Sequence, residues 1–580
     1  MNQVNPIDLA IIQNRLVSIG NEMKRTMERC AFDPVIYEVL DFGCALLDKN
    51  FDTLAQGVGL ALFIGSLGPA TKNAVEHIGE ENLEPGDIFV AATQSITGAH
   101  PPDAVLSAPI FYKDRLFGYA STKAHWLDLG AKDMYPTDST DIFQEGLRIP
   151  PVKLYRAGIL QKEIKEFILW NTRAPYQIWG DMHSQVSACR IAEKRAHELL
   201  DKFGLDYTLK AIQEMYDHGE RMARAAIAEM PDGSWSVEDY LDNNGVDKEK
   251  PVKMKVTVTI DGEEMIIDYT GSAEEQKGPI NCPLITTESS ARLVMKALTT
   301  PDIPAHEGCF RPLKVVAPEG TLFNPGPMAT TFLYGWPSMQ TMDMVCRVMT
   351  DVVPEKVPAF SGGDLCGIIY HGISPRTGRF WAEASPQPIG QGADFYGDGE
   401  SCLLHHSEGA TRNVPIEVTE SREPLHMEQY VLRQDSGGPG RNRGGMGMVR
   451  DYRYVSDGLM LGVIERGKFP HWGVKGGKPG ARNYALVMPP GKEPFEVLKT
   501  PAIPIEAGTV ISNRTGGGGG WGDPFEREAE RVLDDVINEY VSVESARNDY
   551  GVEINLVDGS YIIDEEKTSK LRGMDRNHAG

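Results

Sequence analysis

Ile7, Ile11, Leu16, Ile19, Met23 and Met27 recur at three- to five-residue steps, with Arg15, Asn21 and Lys24 between them. That spacing predicts an amphipathic helix over residues 7–30. Residues 44–47 and 53–56 flank the turn-forming Asp48, Lys49 and Asn50, so a hairpin follows. A second helix is expected over 69–78, stopping at Gly79. Residues 104–125 read as strand, turn, strand. Residues 154–230 read as mostly helical, divided at Gly204 and ended by Pro231, Asp232 and Gly233. Val252, Met254, Val256, Val258 and Ile260 alternate with polar residues, the period of a half-buried strand, and Asp261-Gly262 offers a tight turn after it.

Beyond a helix near 289–298, the stretch 301–524 is rich in Gly and Pro, with short β-like runs such as 459–464. Residues 526–550 read as a closing helical segment. The polar tail after Asp564 is expected to lack fixed structure. The fold class is therefore mixed α/β (α+β), with a helix-rich first part carrying hairpins. The expected divisions are 1–240, a mixed α/β unit; 241–525, a β-rich unit; and 526–580, a closing helix and tail.

A chain of 580 residues exceeds one compact core. Its net charge of −24 opposes binding to nucleic acid or anionic lipid, and no basic block overrides it. The N-terminus lacks the charge-then-apolar pattern of a secretion signal, and no apolar run is long enough to cross a membrane. The eight cysteines form no C-x-x-C pair. Free thiols in a reduced cytoplasm are the expectation.

The chemistry concentrates at His100-Pro101-Pro102-Asp103. A His and a carboxylate three apart in a stiff loop are weak evidence alone. Residues 110–112 and 115–117, however, flank Lys113-Asp114 as a two-residue hairpin loop. Extending that register sets His125 across from Pro102, beside Asp103. Opposed residues have Cα atoms about 5 Å apart, so the hairpin folds His125 onto the pair. Two imidazoles and one carboxylate suit Mn, Fe or Zn, and three protein ligands leave positions for water or substrate. Asp41 and Asp128 are candidates to orient the histidines, and Asp41, Asp128 and Glu145 are candidate general bases.

Other motifs weigh less. Asp435-Ser436-Gly437 looks like a serine-protease nucleophile segment, but the spacing from His125 is far too long for that fold, and the pattern is α/β rather than a double β-barrel. Gly516 to Gly520 lacks the Gly-Lys-Ser/Thr of a phosphate loop and reads as flexible, or as backbone that must approach a partner closely. Of His405 and His406, at most one is expected at any metal, because neighbours on a strand face apart.

Together these segments resemble the hydantoinase B/oxoprolinase family. The resemblance runs through Asp41-Phe42-Gly43-Cys44, Gly98-Ala99-His100-Pro101-Pro102-Asp103 and Ala124-His125 to Asp141–Pro151. It continues in Gly308-Cys309-Phe310-Arg311-Pro312 and the late Gly-rich blocks. It implies a metal held by His100, Asp103 and His125. It also implies an A-type partner subunit that carries ATP and Mg, in a hetero-oligomer such as α2β2. The activity it implies is ATP-dependent opening of a hydantoin or lactam ring, the partner phosphorylating the amide oxygen. Carboxylation of a ketone is the alternative, and a non-catalytic scaffold with a structural metal is a third. Trp126 stands where relatives often have a second His, and is expected to shape an apolar pocket.

Overall fold

The computed structural model describes residues 4–575 except 366, 470 and 471. Its centre is a seven-stranded sheet ordered Thr53–Val58, Phe42–Asp48, Arg115–His125, Asp103–Tyr112, Ile88–Ala92, Ile149–Arg156 and Ile159–Leu160, antiparallel throughout. Strand alternation gives it two different faces. Cys44, Leu46, Ala104, Leu106, Ala120 and Ala124 join the main core. There the helices Pro6–Cys30 and Pro175–Phe203 pack. The other face carries Asp103, Ser107, Ser121, Lys123 and His125 and lies under helix Ala61–Ile78, whose Thr71 hydroxyl bonds Ser107 and Ser121.

The predicted first helix forms at Pro6–Cys30, capped by Asn5. Its buried stripe is Ile12, Leu16, Ile19, Met23 and Met27; Ile7 is exposed. The second predicted helix begins eight residues earlier than expected, at Ala61, and keeps Pro69 inside it. The apolar run 61–67 needs no amphipathic period because both sides are buried. The expected division at Gly204 falls between Pro175–Phe203 and Leu205–Ala228. The start of the expected helical region instead belongs to strand Ile149–Arg156. The closing segment is two helices, Ala529–Ile537 and Val543–Tyr550. The tail expected to be unstructured contains helix Glu565–Asp575, whose start abuts strand Ser560–Ile563.

A four-stranded sheet follows the first, ordered Leu313–Val316, Glu264–Asp268, Val252–Asp261 and Gly233–Leu241. The hairpin loop after Val252–Asp261 is one residue later than expected, since Asp261 pairs with Glu264. Helix Gly335–Met349 packs on this sheet and is buried along almost its whole length. Two further antiparallel sheets complete the Gly/Pro-rich part, of four and five strands.

The five glycines Gly516 to Gly520 are packed closely by neighbouring backbone, the second of the two expected readings. They run extended through a bundle of neighbouring segments. Gly438 N–H donates to Gly518 O, Gly390 to Gly516 O, Ala393 to Gly519 O and Val474 to Gly520 O. A Cβ on Gly517, Gly518 or Gly519 would lie 1.9–2.0 Å from a carbonyl oxygen of Ser436, Gln391 or Trp472. Only glycine lets backbones approach this closely on every side.

Candidate metal centre

The hairpin expected at Lys113-Asp114 forms, with Lys113 at φ 56°. Next to the loop, Tyr112 pairs with Arg115 and Phe111 with Leu116, the predicted register. A bulge between Ile110 and Phe111 then shifts the pairing by one residue. His125 therefore lies directly opposite Asp103, rather than opposite Pro102. Side chains that oppose each other share a face. Pro102 lacks an N–H but still contributes its carbonyl, which accepts from Trp126 N–H at 2.8 Å. The His125 N–H donates to Asp41 O, placing the residue before strand Phe42–Asp48 beside the pair.

His100 reaches the same point from the other direction. Helix Gln94–Thr97 ends at Gly98, left-handed at φ 69°, where a Cβ would lie 2.5 Å from that of Ile285. The chain then turns through the two prolines into strand Asp103–Tyr112. His100 Nε2 is 3.0 Å from Asp103 Oδ1 and 3.0 Å from His125 Nδ1. His125 Nδ1 is 2.9 Å from the same carboxylate oxygen. His100 and Asp103 are buried and His125 nearly so.

Two groups from a distant part of the chain fix this geometry. Phe332 O accepts from His100 Nδ1 at 2.9 Å. With its proton there, a neutral His100 presents the Nε2 lone pair to Asp103. Tyr334 OH donates to Asp103 Oδ2 at 2.5 Å. Burial, and then the Asp103 charge, hold that phenol well above its ordinary range, so it stays a donor. Burial alone would raise Asp103; with no metal bound, imidazoles that carry a proton towards it outweigh burial and hold the carboxyl well below the usual range. Three electron-pair donors thus converge within hydrogen-bond distance of one another. That donor set fits a divalent cation, which removes the repulsion between the lone pairs.

The candidate bases separate by position. Asp41 lines the small cavity beside the cluster, about 70 Å³, with Glu408, Tyr135 and Tyr334. Its buried Oδ1 has no hydrogen-bond partner, and burial raises its carboxyl to about 7. Glu145 is not on the cavity wall. It accepts from the backbone N–H of Thr331 and Phe332 and from the Ser139 hydroxyl, at 2.7–3.0 Å. Glu145 thereby holds the segment that positions His100 and Asp103. Asp128 is bound by the Arg173 guanidinium and N–H, each at 2.6 Å, and is also off the wall. Trp126 points to the opposite face, donating to Gln185 on helix Pro175–Phe203, and lines no part of the cavity.

Sequence reasoning missed Tyr334, Phe332, Glu408 and Lys123. Lys123 shares the face of His125, fully buried, and its ammonium bonds Ser66 Oγ and Thr97 O. Burial lowers it to about 8, and it supplies positive charge behind Asp103 and Asp41. His405 and His406 lie together beside Asp343, their rings 3.9 Å apart, because residues 406–408 form a 3-10 turn rather than a strand. His405 Nδ1 accepts from Ser407 N–H, which leaves the proton on Nε2, facing Asp343 at 3.3 Å. In this His–Asp pair the facing nitrogen has no free lone pair, while Asp343 Oδ1 is buried without a partner.

Known proteins share this architecture. The profile of the Hydantoinase B/oxoprolinase family matches residues 5–524. The chain is 31% identical to a putative D-/L-hydantoinase subunit of Pseudomonas sp. (strain NS671), over 99% of this chain and 98% of that one. It is 31% identical to the caprolactamase beta subunit of Pseudomonas jessenii, over 99% and 100%. The crystal structure of the ATP-dependent caprolactamase from that organism superposes with a TM-score of 0.90 at 28% identity, covering 99% of this chain and 100% of the other. The nucleotide-free structure of an acetone carboxylase superposes at 0.92, covering 99% and 83%; at 21% identity this is a likeness of fold. No helix among the described residues is long and apolar enough to cross a membrane.

Proposed function

The chain belongs to the hydantoinase B/oxoprolinase family, and on that premise we propose that it is the metal-binding subunit of an ATP-dependent cyclic-amide amidohydrolase. The observation that carries the proposal is the convergence of His100 Nε2, Asp103 Oδ1 and His125 Nδ1 within 3.0 Å. These three would hold a divalent Mn, Zn or Fe ion, which when bound supplies Lewis-acid charge beside the amide carbon. Phe332 O and Tyr334 orient two of the ligands. Asp41, on the cavity wall with a free carboxylate oxygen, is placed to take a proton from the attacking water. Leu60, Leu62, Phe63 and Leu365 are among the apolar side chains that line the cavity.

ATP and Mg are assigned to an A-type partner subunit, in a hetero-oligomer such as α2β2, because unstrained amide rings are unreactive without activation. Phosphorylation of the amide oxygen there would give the electrophile that is opened here. Full-length correspondence to a caprolactamase subunit favours hydrolysis over ketone carboxylation, since the carboxylase likeness is of fold alone. The test is co-expression with the A-type partner and a lactam and hydantoin panel. ATP-dependent ring opening without bicarbonate consumption is expected. Bicarbonate-dependent consumption of ketones, with every ring left intact, would overturn the reading. Retained turnover in a His100→Ala complex that still assembles would instead make the metal site structural.

A further inference from the structure

The cavity at the metal cluster has a larger neighbour. A cleft of about 390 Å³ opens between residues 32–35, strand Phe380–Glu383 and helix Ile416–Arg422. Val35 and Ala384 belong to the walls of both spaces, which therefore lie back to back. The cleft falls within the roughly 300–1,000 Å³ of small-molecule sites. The inner cavity, about 70 Å³, is the smaller of the two.

The cleft's acids have no ion-pair partner, while its arginines are exposed to solvent. Asp33, Glu383 and Glu423 line it, as do Arg379 and Arg422. Among the described residues, none of the five has an opposite charge within the 4.0 Å of an ion pair. Asp33 is 2% exposed and Glu383 5%. Asp33 spends one oxygen on the Val35 N–H, and Glu383 one on the Ser385 N–H. Glu423 Oε2, Trp381 Nε1 and Thr419 Oγ1 are buried without partners. Burial pushes Glu423 up to about 8, with Glu383 and Asp33 adding to it, so the acids crowd a common space and Glu423 keeps its proton at neutral pH until a cation enters. Leaving buried charges and donors uncompensated costs stability, and such costs cluster where a ligand completes the set.

We infer that this cleft binds a small zwitterion, an amino acid whose ammonium group sits among Asp33, Glu383 and Glu423 and whose carboxylate meets Arg379 and Arg422. The physiological ligand rests on the ring-opening reading. When one water opens the O-phosphorylated lactam, a C–O bond forms as the C–N bond breaks, and a second water releases the phosphoryl group from the carboxyl oxygen as inorganic phosphate. The carbonyl carbon becomes a carboxylate, and the nitrogen takes a proton and leaves as an ammonium. The product is then an amino acid released one wall away from this cleft. An opened hydantoin carries a ureido group in place of the ammonium and fits less well.

Calorimetric titration of the full chain with 6-aminohexanoate, hexanoate and hexylamine tests the inference. Saturable binding of 6-aminohexanoate is expected, on the order of tenfold tighter than either half-molecule, because both charges are matched. Glu423→Gln and Arg379→Ala should each weaken it by on the order of tenfold with unchanged thermal unfolding. Arg379 is exposed, so that variant remains informative if Glu423→Gln disturbs folding. No saturable binding, or equal affinity in wild type and both variants, overturns the inference. The titration needs neither ATP nor the partner. A chain that binds the amino acid, yet opens no ring when complexed with the A-type partner and supplied with ATP, upholds the cleft and rejects the ring-opening reading.

Discussion

Replacing Tyr334 by Phe removes one oxygen, the donor to Asp103 Oδ2 at 2.5 Å. Asp103 is 1% exposed, so water cannot substitute. A hydrogen bond to a charged group contributes about 1.5–3 kcal/mol, and stranding a buried acceptor forfeits it in full. The metal-free Tyr334→Phe chain should therefore unfold about 2 kcal/mol more easily in urea, with the denaturant slope unchanged. The same contact orients a proposed ligand, and loss of such contacts weakens metal affinity by about 10- to 100-fold. Titration against a competing chelator dye reads that change. The stabilisation conferred by a fixed metal concentration should shrink accordingly. The His100 bond to Phe332 O is untouched, which confines the effect to Asp103. Stability within about 0.5 kcal/mol of wild type, together with metal affinity within about twofold, would refute the reasoning.

Glu145 should give a pH signature. Burial raises its carboxyl from 4.5 to about 7, so between these values the unfolded chain releases the proton while the folded chain keeps it. The group's contribution is fully present below pH 4.5 and is lost as pH rises through 7. Relative to Glu145→Gln, wild type should lose about 3 kcal/mol across that window in urea unfolding at stepped pH, and a flat difference would count against the assignment. In the glycine bundle, Gly518→Ala places a Cβ 2.0 Å from Gln391 O and should cost more than about 4 kcal/mol or abolish soluble expression. Gly397→Ala meets nothing within 4 Å and should change the melting temperature negligibly; similar melting of the two variants would contradict the packing described.

The site is legible in the sequence as far as local geometry reaches. Lys113-Asp114 announces the hairpin, and its register brings His125 to within one residue of its true partner. The remaining shift comes from the bulge at Ile110/Phe111, which no residue type there signals. Tyr334 and Phe332 lie over two hundred residues beyond His100 and meet it only through the tertiary fold. Glu145 is legible as a carboxylate in a family landmark, but its use on two backbone N–H groups is not. Helix Pro6–Cys30 is legible from its period. Helix Ala61–Ile78 is predicted too short because burial on both sides erases the period. The glycine run fits either a loop or a close approach of backbones, and only the surrounding carbonyls decide between them.

The cluster of His100, Asp103 and His125 carries the functional reading. Elemental analysis of the full chain, purified without chelators, measures it directly, with His100→Ala and Asp103→Asn alongside. About one equivalent of Mn, Zn or Fe per wild-type chain is predicted, falling by at least about tenfold in both variants while their folded spectra persist. A metal-free wild type that also fails to take up these ions on dialysis, or variants that retain the wild-type metal content, would contradict it.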